Sequence, residues 1–141
     1  MSDETGDGTN AGCLCGAVRM RIDGAPSRVV QCCCTDCQKS TGGGSVLVAL
    51  APRASVHIET GETRSYAVPG ESGAGVTRHF CPQCGTPLFS ELGKYPDLLA
   101  LKAGVWDVDP GLKPSAVLWA SSAAPWHVLP DDIPRFDRAA G

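Results

Sequence analysis

Eight cysteines in 141 residues fall into three groups, and their spacing restricts the fold more than any other feature of the chain. They read CLC (Cys13, Cys15), CCCTDC (Cys32, Cys33, Cys34, Cys37) and CPQCG (Cys81, Cys84). A Cys-x-x-Cys followed by glycine has the form of a zinc knuckle, in which two sulfurs share one tight turn and Gly85 accepts a positive φ. Two thiolates do not close a tetrahedral site, so the knuckle needs another pair, and the chain offers two. Pairing Cys81 and Cys84 with Cys13 and Cys15 leaves Cys32, Cys34 and Cys37 as a separate Cys-x-Cys-x-x-Cys triplet. Four thiolates close a zinc site and make it structural, whereas three leave a position open to water or substrate. In an extended Cys-x-Cys the middle side chain points to the other face, which sets Cys33 apart. On spacing alone the triplet also fits a second structural metal completed by His79 or Asp36, or a set of reduced thiols.

Cysteines used in this way imply a reducing compartment, since in a secreted domain they would read as disulfides. No basic leader with an apolar core opens the sequence and no apolar run approaches a bilayer's thickness, so a cytoplasmic protein without membrane association is expected. The length suits one domain, and the 17 glycines and 11 prolines point to many turns and short elements. A net charge of -3 and a pI near 5.5 argue against a nucleic-acid footprint, which needs a basic face. A monomer or homodimer is compatible with all of this.

Residues 1–12, MSDETGDGTNAG, are small, polar and acidic, and read as a flexible tail ahead of a single domain over 13–141. Beyond them the pattern has period two. AVRMRI (17–22) alternates as a strand with one wet face does, and SVLVALA (45–51) reads as a more buried strand. SVHIE, TRSYAV, VTRHF and LLALKAGV continue the series between Gly, Pro and Glu-rich turns, which predicts a mainly β domain without long helices.

Four segments, GCLCGAVRMRI, CCCTDCQKSTGGG, FCPQCGTPLF and PWHVLPDDIPRF, resemble in order and spacing the glutathione-dependent formaldehyde-activating enzyme family. Its relatives include the centromere protein V-like proteins and, at fold level, the Mss4-like β-tent proteins. The resemblance implies a mainly β, Mss4-like β-tent of short antiparallel strands in packed sheets around a structural zinc knuckle. It implies a structural zinc on Cys13, Cys15, Cys81 and Cys84, and a second, open or labile zinc on Cys32, Cys34 and Cys37, which would be the catalytic residues. The activity implied is that of a zinc-dependent carbon–sulfur lyase joining glutathione, or a similar small thiol, to formaldehyde or another small electrophile. Cys33 departs from the family pattern, which often has histidine there, and an added sulfur beside a metal invites oxidation or ligand competition.

A thiol with a peptide-like body needs a cradle. The run STGGGS can present backbone N–H groups through Gly43 and Gly44, with Lys39 adding positive charge, or it can be a plain turn. His79 is a candidate acid or base near Cys81, or a polar-face residue of a strand. Trp106, Trp119, Trp126 and Phe136 read as core closure, or as an aromatic wall over a thiol pocket. The competing functions are a non-catalytic zinc module that binds a protein partner, and a thiol-based redox or metal-handling protein.

Overall fold

The computed structural model describes residues 8–69 and 74–138. Its chain runs through β1 (Gly8–Gly12), β2 (Arg19–Asp23), β3 (Arg28–Cys32), α1 (Thr35–Thr41), β4 (Val46–Pro52), β5 (Val56–Thr60) and β6 (Arg64–Val68). It continues through β7 (Val76–Phe80), β8 (Pro87–Leu92), β9 (Tyr95–Lys102) and β10 (Val117–Leu118). A three-stranded sheet has the order β1-β2-β5, and a seven-stranded sheet the order β10-β3-β4-β9-β8-β7-β6. Every pairing is antiparallel except β10 with β3. The protein is therefore mainly β, as the alternating sequence pattern predicts, with packed sheets, as the family resemblance implies.

The tail expectation needs correction over residues 8–12. They form β1, paired with β2 from Gly8↔Asp23 to Gly12↔Arg19, and Ala11 is fully buried. Trp106 explains how so polar a segment is held, because its indole nitrogen donates to Thr9 Oγ1 at 2.9 Å and Asp107 N donates to Asn10 O. Tertiary partners outweigh the segment's own composition. The rest of the expected tail lies outside the described residues.

Alternation along the central strands sorts the apolar side chains into two cores. Ala49 and Ala51 of β4, Leu99 and Leu101 of β9, and Phe89 of β8 face the three-stranded sheet, where they meet Met20 and Ile22 of β2. Val46 and Val48 of β4 and Ala100 of β9 face the other way, with Val30 and Cys37. The seven-stranded sheet is thus covered on one face by the small sheet, and only in part on the other by α1 and the segment after β10. The uncovered part of that second face is the cleft described below.

Candidate metal centres and cleft

The loop between β1 and β2 carries Cys13 and Cys15, and the turn between β7 and β8 carries Cys81 and Cys84. Their four sulfurs lie within 4.8 Å of one another. Cys13 Sγ is 3.6 Å from Cys15 Sγ, which is 3.8 Å from Cys81 Sγ. A tetrahedron of sulfurs at about 2.3 Å from a central zinc has edges of about 3.8 Å, so the spacing fits that ion. The surroundings of Cys13, Cys81 and Cys84 fit thiolates. Cys13 Sγ accepts from Val18 N (3.3 Å), Cys81 Sγ accepts from Gln83 N (3.4 Å) and Cys84 N (3.5 Å), and Gly85 turns the knuckle at φ 79°. Thr86 Oγ1 accepts from Leu14 N at 3.0 Å and lies 3.1 Å from Cys84 Sγ. Hydrogen bonds from the Thr86 hydroxyl and then its backbone hold the Cys84 thiol down at about 5.

The second group, Cys32, Cys34 and Cys37, also has its sulfurs within 4.8 Å of one another. Cys32 ends β3, and Cys34 is the N-cap of α1, its sulfur accepting from Cys37 N at 3.3 Å. That cap turns the chain so that Cys37, buried in the first helical turn, faces back to Cys32 and Cys34. Hydrogen bonds from Cys32 and then Cys37 hold the Cys34 thiol well below its ordinary value, while the bond with Cys34 drives Cys32 up. The three sulfurs therefore favour one shared negative charge, and a soft divalent cation would replace the remaining protons. Cys33 is fully buried and outside the sulfur group; its N donates to Leu118 O, and its O accepts from Gln38 Nε2.

The triplet opens into a cleft of ≈ 590 Å³ on the second face of the large sheet. That is an ordinary size for a small-molecule site. Its floor consists of every second residue of five strands, with one cross-strand row running Arg78, Ser90, Ala100, Leu50, Arg28. Apolar side chains dominate, Trp119 forms part of the wall, and Lys102 lies beside the triplet. Burial pushes the Lys102 ammonium down, and the negative charge of Cys37 draws it back up. Trp119 adopts φ 57°, a left-handed conformation unusual for a bulky side chain, with Arg138 over its ring.

Several sequence candidates lie elsewhere. Lys39 is exposed on α1, Gly43 is exposed, and Gly44 is packed against His127 and Trp126; none lines the cleft. The cations that do line it are Arg28, Arg78, Lys94 and Lys102. His79 is bonded to Thr63 Oγ1 (2.8 Å) and Glu91 Oε1 (2.7 Å) and stacked on Phe89, apart from both cysteine groups. Asp36 is exposed on α1. Of the tryptophans, Trp106 closes the core and Trp119 the cleft, but Trp126 is 68% exposed, which corrects the core reading for that residue; Phe136 also stays exposed. Sequence reasoning missed Arg78, Ser90 and Lys102. The lysine inside the apolar run LLALKAGV was a signal that it had a use in a buried place.

Residues 8–122 match the family of the glutathione-dependent formaldehyde-activating enzyme. A Halomonas elongata protein provisionally named a glutathione-dependent formaldehyde-activating enzyme is 31% identical over 107 residues, covering 69% of this chain. The aligned chain spans 64% of the length of that relative. The crystal structure of a Rhodobacter sphaeroides protein aligns with a TM-score of 0.58 at 19% identity, covering 74% of this chain and 97% of that one, which supports the fold. No helix among the described residues is long and apolar enough to cross a membrane. With the match running through all three cysteine groups, the chain belongs to the glutathione-dependent formaldehyde-activating enzyme family.

Proposed function

We propose that the protein is a zinc-dependent carbon–sulfur lyase that joins glutathione, or a similar small thiol, to formaldehyde or another small electrophile. Cys13, Cys15, Cys81 and Cys84 hold a structural zinc, and Cys32, Cys34 and Cys37 hold the catalytic one. The observation that carries this reading is the convergence of three sulfurs, not four, at the end of an apolar cleft with cationic walls. In the joining direction a sulfur–carbon bond forms, the carbonyl π bond breaks, and the thiol proton ends on the former carbonyl oxygen. A zinc held by Cys32, Cys34 and Cys37 would supply Lewis acidity and an open position for a thiol or a carbonyl oxygen.

The chain's own residues account for the rest. Cys32, Cys34 and Cys37 hold the ion, and the α1 cap fixes their mutual geometry. Val30, Val48 and Ala100 keep water from the sulfur side of the cleft, which strengthens every charge interaction inside it. Arg78 and Lys102 offset the negative charge of the sulfurs, so that an anionic thiolate can approach. Trp119 walls the side toward the C-terminal segment.

Glutathione and formaldehyde combine unaided, so the test is the rate of exchange at equilibrium. Magnetisation-transfer NMR with labelled formaldehyde should show exchange into S-hydroxymethylglutathione accelerated by wild-type protein. A Cys34→Ser variant that keeps its fold should return it to the uncatalysed rate. Equal rates with and without wild-type protein, for formaldehyde and for a panel of small aldehydes, would refute the activity.

A further inference from the structure

Two buried polar groups in the cleft have no partner. Ser90 is 2% exposed and its Oγ makes no hydrogen bond, and the Nε of Arg78, its cross-strand neighbour, is likewise buried and unbonded. Such groups cost about 1–3 kcal/mol each when left unsatisfied, and they are rare unless something binds them. Lys102 is 8% exposed, and its ammonium has no hydrogen bond or carboxylate partner among the described residues. It stands diagonally from Ser90 across the β8–β9 pair, since Ser90 opposes Ala100. No aspartate or glutamate among the described residues lines the cleft. Two like charges and an orphan hydroxyl therefore face one apolar space in which the triplet sulfurs are the counter-charge among the described lining residues.

The sulfurs do not use up this charge. A divalent ion on three thiolates carries a formal charge of one negative, against two positive on Arg78 and Lys102, the lining cations that are not exposed, as Arg28 and Lys94 are. One positive charge is left over, in surroundings of low dielectric where an unpaired charge is costly. A carboxylate fits the remainder: it carries one charge, and its two oxygens take about four hydrogen bonds, enough for the guanidinium, the hydroxyl and the ammonium together.

We propose that Arg78, Ser90 and Lys102 form a carboxylate-binding subsite beside the cysteine triplet, which orients a substrate bearing a carboxylate on the reacting side of the cleft. The inference rests on the reading of the cleft as the substrate site. A carboxylate can arrive on the thiol, as in glutathione, or on the electrophile, as in a short oxo acid. The subsite makes the carboxylate a specificity element, so a partner lacking it binds the cleft more weakly.

The test uses matched probes on zinc-loaded, full-length protein, with binding read by calorimetry and zinc content checked in every sample. One pair is glutathione and its diethyl ester; the other is glyoxylate and methylglyoxal. In at least one pair the carboxylate member should bind ten-fold or more tightly than its partner, and the pair that shows it identifies the source. Lys102→Met should abolish that preference while zinc content is unchanged, Lys102→Arg should restore part of it, and Ser90→Ala, the smallest change, should reduce it several-fold. Affinities within two-fold in both pairs for wild type would overturn the proposal, as would an undiminished preference in both folded Lys102→Met and Ser90→Ala. A preference lost in Lys102→Met, with no adduct exchange by wild type, would uphold the subsite and sink the lyase reading, so the two fail separately.

Discussion

At the scale of single residues, side-chain parity decides most of what the site contains. Arg78 and His79 are neighbours in β7, yet one faces the cleft and the other is stacked on Phe89. From the sequence the histidine was the conspicuous residue, but the register of β7 against β8 puts the arginine in the cleft. The cysteine groups were legible because their spacing is local and metal chemistry restricts it; the orphan cluster of Arg78, Ser90 and Lys102 was not, because three strands bring it together. Glycines divide in the same way. At Gly61 a Cβ would stand 2.1 Å from Ala17 O on a backbone with φ +87°, whereas at Gly104 it meets nothing within 4 Å. Gly61→Ala should therefore cost about 2 kcal/mol or more in chemical denaturation, with Gly104→Ala within about 0.5 kcal/mol of wild type. Gly44→Ala should disturb the His127 ring, 2.7 Å from the new methyl, and leave glutathione affinity within about two-fold in calorimetry, since Gly44 lies outside the cleft.

At the scale of elements, α1 is too short to be stable alone and depends on its ends. Its start is capped by a cysteine sulfur, and its end by Gly42 at φ 74°, whose N–H returns to Gln38 O at 2.8 Å. Gly42→Ala should cost about 1 kcal/mol, and because α1 positions Cys37, metal at the triplet should be lost to a chelator sooner than in wild type. The sequence run TDCQKSTG stands out for its cysteine and its one glycine, and a helix of seven residues carries too little periodicity to be seen. The same holds for β3 and β8, whose pairing depends on β4 and β9. On the small sheet, Asp23 takes hydrogen bonds from His57 (2.8 Å) and Arg21 (3.2 Å), and these, His57 first, hold its carboxyl below the usual range. A depressed carboxylate adds stability above its unfolded value of about 3.9 and loses it as pH falls through the lower folded value. Wild type should thus be more stable than Asp23→Asn at neutral pH, with the gap closing below about pH 4 in paired denaturation curves.

At the scale of the whole molecule, the four-cysteine group joins the hairpin of the small sheet, β1–β2, to the hairpin β7–β8 of the large one. The zinc proposed there is a clamp between sheets, which a scan for paired cysteines could find but could not place. Structural zinc contributes on the order of 10 kcal/mol to small folds. Cys84→Ser should therefore unfold the protein or lower its Tm by tens of degrees, whereas Cys37→Ser should keep most of it, because the triplet lies within one sheet and its adjoining helix. The mainly β character was legible from alternation alone; the division into two sheets was not, since it depends on pairings such as β2 with β5 and β10 with β3 that link distant segments. On the proposed function the two cysteine groups are two different metal sites, one closed and one open. Zinc content with X-ray absorption on anaerobically purified wild type and Cys34→Ser tests it most directly. About two zinc ions per chain are expected in wild type and about one, with four sulfur ligands, in the folded variant. One zinc per chain in both proteins, with the same four-sulfur spectrum, would contradict it.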